Sequence, residues 1–263
     1  MLKNRYIVIF IAIALFFISC ASSSPNTPSS VKDWDKYVEN QKSLAIAAFR
    51  RGNFKQALID IEEAERRNRR DPEVHLIKGL IYYGLKDYPL AEKYYLKSLK
   101  INSDYNVANF NICGLYLKIN EAEKAIAYCE KASSDPLYED RDRALTNLGT
   151  AYLKKGDINR AKLYYDKALE INPQLVYTHN ELGKMYLSLG NEVDAIREFK
   201  IAINGFPEYD EAYFNLGIAY LKQGNKPSAC SSFNKVIQLT PTSKLGLDAR
   251  SYMESICKYS INN

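Results

Sequence analysis

Apolar and polar positions along the chain fall at helical spacing, in short runs cut by turn residues. The pattern is cleanest between Asp142 and Pro173. Leu145, Leu148 and Tyr152 recur three or four residues apart, and Ala161, Tyr165, Ala168 and Leu169 do the same further on. Gly156-Asp157 separates the two runs and Asn172-Pro173 closes the second. The pattern predicts two short amphipathic helices joined by a tight turn. It returns with a period of 34 residues in six copies: 38–71, 72–105, 106–139, 142–175, 176–209 and 210–243.

Four positions define the unit. The eighth is Ala45, Gly79, Cys113, Gly149, Gly183 and Gly217, and the eleventh is Ala48, Tyr82, Tyr116, Tyr152, Tyr186 and Tyr220. The twentieth is alanine throughout (Ala57, Ala91, Ala125, Ala161, Ala195, Ala229), and the twenty-fourth is Ile61, Tyr95, Cys129, Tyr165, Phe199 and Phe233. Two helices that cross closely need small residues at the crossing point, because a large side chain there overpacks by about 1–3 kcal/mol. The aromatic positions fill the space between neighbouring units. This period and residue pattern resemble the tetratricopeptide repeat. The resemblance implies an all-α fold, a right-handed superhelical solenoid of six helix-turn-helix repeats over 33–259. Residues 244–259 carry an apolar stripe (Leu245, Ala249, Tyr252, Met253, Ile256) suited to a C-terminal capping helix.

The copies are not equal. The fourth to sixth each have Gly at the turn (Gly156, Gly190, Gly224) and Pro near the end (Pro173, Pro207, Pro241). The first lacks Pro and carries a basic run, Arg66-Arg67-Asn68-Arg69-Arg70, which reads either as a patch for an acidic partner or as a solvated helix end favoured by the dipole. The third has Asn120 at the turn and is followed by two extra residues.

Ahead of the repeats lies a different pattern. A short basic segment with Lys3 and Arg5 precedes an uncharged apolar run over 6–19, and Cys20 follows. About 20 apolar residues are needed to span a bilayer, so the run fits a signal-peptide core better than a permanent span. Its end, Phe17-Ile18-Ser19-Cys20-Ala21, resembles a bacterial lipobox, with Ser19 before the cysteine and Phe17 where Leu is usual. The expectation is a leader over 1–19, acylation of Cys20 and a flexible polar tether over 20–32; an uncleaved signal anchor is the alternative. By resemblance to the sorting rules of such lipoproteins, Ala21 favours an outer-membrane lipoprotein facing the periplasm of a Gram-negative bacterium.

The net charge of +5 is small and spread evenly, which argues against nucleic acid. Tyrosine is abundant, 21 residues against one Trp and two His. No P-loop, dinucleotide fingerprint, nucleophile elbow or zinc-protease motif occurs, and the expectation is a protein with no enzymatic activity, cofactor or metal site. His75 and His179 share the fourth repeat position with Tyr213 and read as packing residues. Four cysteines remain in the repeats. Cys113 and Cys129 occupy the facing eighth and twenty-fourth positions of one unit. Cys230 begins the last second helix and Cys257 ends the capping segment that should run back along it. Export to an oxidising compartment makes Cys113–Cys129 and Cys230–Cys257 candidate disulfides, with four buried thiols as the alternative.

Binding is the remaining role. In the repeat family the concave groove is lined mainly by positions 2, 5, 9 and 12. That carries over to Ile46, Phe49, Leu76, Leu80, Tyr83, Phe110 and Leu117 as an apolar partner groove in the first three copies, beside Lys42, Val107 and Gly114. The fourth and fifth copies supply a more polar stretch with Arg143, Thr146, Thr150, Leu153, Tyr177, Asn180, Lys184 and Leu187. Twist between units could instead bury some of these. The irregular join is the most specific feature: Asp135, Leu137, Tyr138 and Arg141 precede Asn147-Leu148-Gly149. Together with six repeats behind a lipobox, this resembles the type IV pilus biogenesis lipoproteins of the PilF/PilW type. That resemblance implies a pilotin, a monomeric chaperone that binds secretin subunits and promotes their multimerisation in the outer membrane. A general periplasmic scaffold for envelope or peptidoglycan assembly, or an accessory subunit of an exported enzyme, are the rival readings.

Overall fold

The computed structural model describes residues 31–257; the expected leader, Cys20, tether residues 21–30 and the last six residues lie outside them. Thirteen α-helices follow one another among the described residues. Six hairpins form in order: α1 (Val31–Arg50) with α2 (Phe54–Arg67), α3 (Pro72–Gly84) with α4 (Tyr88–Ile101), and α5 (Asn106–Lys118) with α6 (Ala122–Ser134). The second half continues with α7 (Arg141–Lys154) and α8 (Ile158–Ile171), α9 (Val176–Ser188) and α10 (Glu192–Gly205), and α11 (Asp210–Lys222) and α12 (Lys226–Leu239), before α13 (Lys244–Tyr252). Each hairpin packs on the next, which makes the solenoid.

One backbone device ends every first helix. The turn residue takes a positive φ in all six hairpins: Gly52 (74°), Lys86 (63°), Asn120 (64°), Gly156 (85°), Gly190 (72°) and Gly224 (83°). Asn120 therefore does the work of the missing glycine, since Asn adopts the left-handed conformation more readily than most residues. The residue after the turn caps the second helix. Asn53, Asp87, Asp157, Asn191 and Asn225 each accept the backbone N–H three residues on with a side-chain oxygen. Glu121, in the third hairpin, makes no such bond.

The conserved spacing within the chain now has a packing meaning. The six alanines at position 20 are fully buried. At position 8 the glycines lie under the ring at position 24, and a Cβ added to Gly149 would sit 2.7 Å from the Tyr165 ring. The third unit replaces glycine and ring by Cys113 bonded to Cys129, Cα–Cα 5.1 Å. Much of the tyrosine content is a second recurring pair, positions 11 and 23. Tyr82 stacks on Tyr94 (5.4 Å), Tyr116 on Tyr128 (5.6 Å) and Tyr152 on Tyr164 (5.3 Å).

Three places depart from the regular unit. Helix α1 begins seven residues before the repeat frame, and its Trp34 lies under the Arg67 guanidinium at 4.3 Å. Arg66 and Arg67 also pair with Glu63, so these two members of the basic run are held within the first hairpin. Between α6 and α7 the two extra residues fold as a fixed turn. Asp135 accepts from the Leu137 N–H (2.9 Å) and from the Asn106 side chain (3.0 Å), and Arg141 Nε donates to the Ser133 carbonyl (3.0 Å). At the C-terminal end the expected single capping helix is α13 followed by a π-helical turn, Met253–Cys257. Tyr252 stacks on Phe233 at 4.9 Å and meets Phe214 edge-on, which closes the last core, and Cys257 is bonded to Cys230 (Cα–Cα 6.0 Å).

Candidate partner-binding groove

The first helices α1, α3, α5, α7, α9 and α11 touch in sequence and form one continuous wall. Along it lies a pocket of about 520 Å³. Phe49, Leu80, Tyr83 and Phe110 line it, four of the seven groove residues expected from the sequence, together with Tyr95, Arg143 and Tyr177. Arg143 lies over Phe110 at 5.3 Å and pairs with Asp140 at 3.0 Å. Leu117 belongs to an adjoining, more polar pocket of about 400 Å³, bordered by Lys118, Lys154, Tyr177, Glu181 and Lys184. Ile46 is half-buried and packs against the core of the first hairpin.

Leu76 is not a groove residue. It is 4% exposed and belongs to the core of the second and third hairpins. The stacking of neighbouring hairpins encloses it, as it does Lys42, Thr146 and Asn180 at the same fifth position, whereas Phe110 at that position opens onto the pocket. The enclosed side chains lock one repeat to the next. Lys42 Nζ reaches Glu73 (2.6 Å) and Asp71 (3.2 Å) of α3 and its cap, as well as Glu39 in its own helix. Burial pulls its pKa down, but the three carboxylates overcome that and hold it above the ordinary lysine value. The Thr146 and Thr178 hydroxyls are 2.6 Å apart, and Asn215 Nδ2 donates to the side-chain Oδ1 of Asn180 at 3.1 Å.

Position 6, which sequence reasoning passed over, takes part in the groove. Asn111 and Asn147 line the larger pocket, and Asn147 and Glu181 line the smaller. The signal was present: an asparagine recurs there in the third, fourth and sixth copies (Asn111, Asn147, Asn215). Asn111 donates to the Val107 carbonyl of its own helix at 2.7 Å. Asn147 is 8% exposed, and its side-chain amide has no hydrogen-bond partner among the described residues. Glu181 is 3% exposed. Burial raises its pKa, opposed by Lys184 at 2.7 Å, which also reaches Glu211 at 3.4 Å.

Both histidines fix the loop that precedes their own helix. His75 Nε2 meets the Arg69 carbonyl at 3.0 Å, and His179 Nε2 meets the Pro173 carbonyl at 3.1 Å. The surroundings then separate them. Burial lowers the pKa of His75 and keeps it neutral. Burial also disfavours a charge on His179, yet its Nδ1 lies 2.8 Å from Glu198, and with acceptors at both ring nitrogens it must donate twice; its pKa is raised. Glu198 is buried as well, but His179 and Arg197 lower its pKa. The His179 contribution is present below its ordinary pKa of 6.5 and is lost as pH rises through the elevated folded value. The Glu198 contribution is present above 4.5 and is lost as pH falls through its depressed value. The pair therefore stabilises most between about pH 4.5 and 6.5. Urea titrations of the wild type and His179→Gln are expected to differ most in that window, with the gap narrowing above it by on the order of 1 kcal/mol. A gap independent of pH would disprove the charged pair.

Comparison with known proteins places these features in a family. Models described as tetratricopeptide repeat match residues 43–106, 142–175 and 210–243. The type IV pilus assembly protein PilF of Pseudomonas aeruginosa is 26% identical over 161 residues, covering 61% of this chain and 64% of that protein. Among solved structures, PilW, described as a widely conserved type IV pilus biogenesis factor, superposes with a TM-score of 0.71 at 23% identity, covering 80% of this chain and 97% of that one. The P. aeruginosa PilF structure gives a TM-score of 0.68 at 21% identity, covering 83% and 98%. At these identities the superpositions establish the fold.

Proposed function

Because the chain belongs to the tetratricopeptide-repeat family and is similar to PilF and PilW, we propose that it is a non-enzymatic type IV pilus biogenesis factor that acts as a pilotin. In this reading acyl chains on Cys20 hold it to the outer membrane, and two or more chains suffice for stable anchoring. The groove along the first helices captures secretin subunits and delivers them for multimerisation. The carrying observation is the aromatic pocket across α1, α3, α5, α7 and α9, which a solenoid of this kind offers to a protein segment. Deletion of the gene tests the role. Secretin multimers in the outer-membrane fraction should fall sharply and return on complementation. Unchanged multimers after deletion exclude the pilotin role and leave the general scaffold. A Cys20→Ala protein should leave the membrane fraction.

A further inference from the structure

Resting on the groove reading above, we propose that the bound segment is extended and acidic: a large apolar side chain enters the pocket beside Phe110, and a neighbouring carboxylate meets Lys118 and Lys154. Three observations carry this. The walls of the larger pocket are apolar where Phe49, Leu80, Tyr83 and Phe110 converge, so the anchor is a bulky apolar group.

Asn147 supplies the second observation. It borders both pockets, is more than nine-tenths buried, and its amide has no partner among the described residues. The amide atoms remain open to the groove, so they offer two donors and an acceptor to whatever fills it. The main chain of an extended segment has a free N–H and C=O to match it. A helical segment has already used those groups internally, so the geometry favours an extended strand of chain.

Charge supplies the third. Lys118 and Lys154 end α5 and α7 and border the smaller pocket. Lys118 has no ion pair or side-chain hydrogen bond among the described residues, and Lys154 donates to the neutral Asn120 amide at 3.0 Å. The acids on the other side of that pocket are engaged, Glu181 and Glu211 both by Lys184. The open charge is therefore positive and lies next to the apolar pocket.

The test uses the full chain purified in detergent and three blocked, fluorescein-labelled peptides read by anisotropy: Gly-Glu-Phe-Glu-Gly, the same with Ala for Phe, and the same with Lys for both Glu. The first should bind at up to about millimolar concentration, and each of the others should bind at least about tenfold more weakly. Asn147→Leu, close in volume, should weaken the first by about tenfold with circular dichroism unchanged. Lys118→Glu with Lys154→Glu should reverse the preference between acidic and basic peptides, which mere loss of structure cannot do. Equal binding of the acidic and basic peptides, no saturable binding of any, or an unaffected Asn147→Leu protein overturns the proposal. The groove itself is judged separately. If charged substitutions at Phe49, Leu80 and Phe110 leave capture of the whole partner intact, the groove reading fails; if they abolish capture while peptides show no charge preference, only this inference fails.

Discussion

Replacing Phe49, Leu80 and Phe110 together by glutamate abolishes capture of the partner while the helical circular dichroism stays near that of the wild type. The three side chains converge on one pocket from three consecutive hairpins. Central aromatic and aliphatic anchors are where truncation costs most, about 2 kcal/mol or more each, and a carboxylate adds desolvation to that loss. A fall in affinity of at least about a hundredfold is expected even though such values do not add. The fold should tolerate the changes because all three are half-buried at the groove surface. At position 110 a glutamate gains the Arg143 guanidinium that now lies over the ring. Phe49 is the least neutral of the three, since it also packs edge-on against Phe54 at 5.9 Å. The Leu80→Glu/Phe110→Glu pair without it keeps the test clean, and Leu189→Glu, at a position 52% exposed, serves as the control with unchanged capture. Capture by the double variant at wild-type level, with the control behaving as stated, would show that this pocket is not the docking site.

The repeat was legible because its demands are local. Alanine at position 20 and glycine at position 8 are required by the helix crossing alone, so the unit and its period could be read without any knowledge of neighbours. Groove membership was legible only in part, since it depends on how one unit is rotated on the next. Leu76 and Phe110 hold the same fifth position; Leu76 is enclosed by the adjacent hairpins, whereas Phe110 opens onto the pocket. Nothing in either residue's own hairpin distinguishes them. Asn147 was missed for the opposite reason: it stands one place before the apolar Leu148 within a motif, Asn-Leu-Gly, that is generic for the repeat, and only the pocket on both sides of it gives the amide a meaning.

The irregular join shows a similar split between recognition and role. Asp135 and Arg141, the most specific feature of the sequence pattern, hold the turn between α6 and α7 by bonds to the Leu137 N–H, Asn106 and the Ser133 carbonyl. Two inserted residues would otherwise free the fourth hairpin to rotate on the third, and the larger pocket takes residues from both. The join thus fixes how the fourth hairpin sits on the third, and with it the spacing of the pocket residues on α5 and α7. Leu137 is the exception, 90% exposed at the tip of the turn.

Removing the crosslink of the third hairpin is expected to produce the largest loss of stability. Cys113→Ala/Cys129→Ala opens a closure with a sequence separation of 16, which corresponds to about 3 kcal/mol in the chain-entropy account. It also leaves a void, because both sulfurs lie where four of the other five repeats place a ring over glycine, and both cysteines are fully buried. A total loss of about 3–5 kcal/mol is expected. The hairpin sits in the middle of the array, and a solenoid is stabilised only between neighbours, so the two flanks should then unfold in separate steps. Cys113→Gly/Cys129→Tyr separates the two contributions. It restores the pairing of Gly79 with Tyr95 and Gly149 with Tyr165, and the surroundings match, since Tyr116 stacks on Tyr128 as Tyr82 does on Tyr94 and Tyr152 on Tyr164. That variant should regain the packing energy and a single transition, stay below the oxidised wild type by about the closure term, and be least affected by dithiothreitol at this site. Cys230→Ser/Cys257→Ser supplies a common background for these measurements, so that reductant acts on one bond alone. Urea unfolding followed by circular dichroism gives the ordering: oxidised wild type, then glycine–tyrosine, then alanine–alanine. Equal midpoints for the oxidised wild type and the alanine pair would mean that the crosslink and its volume contribute nothing to holding the third hairpin in the array.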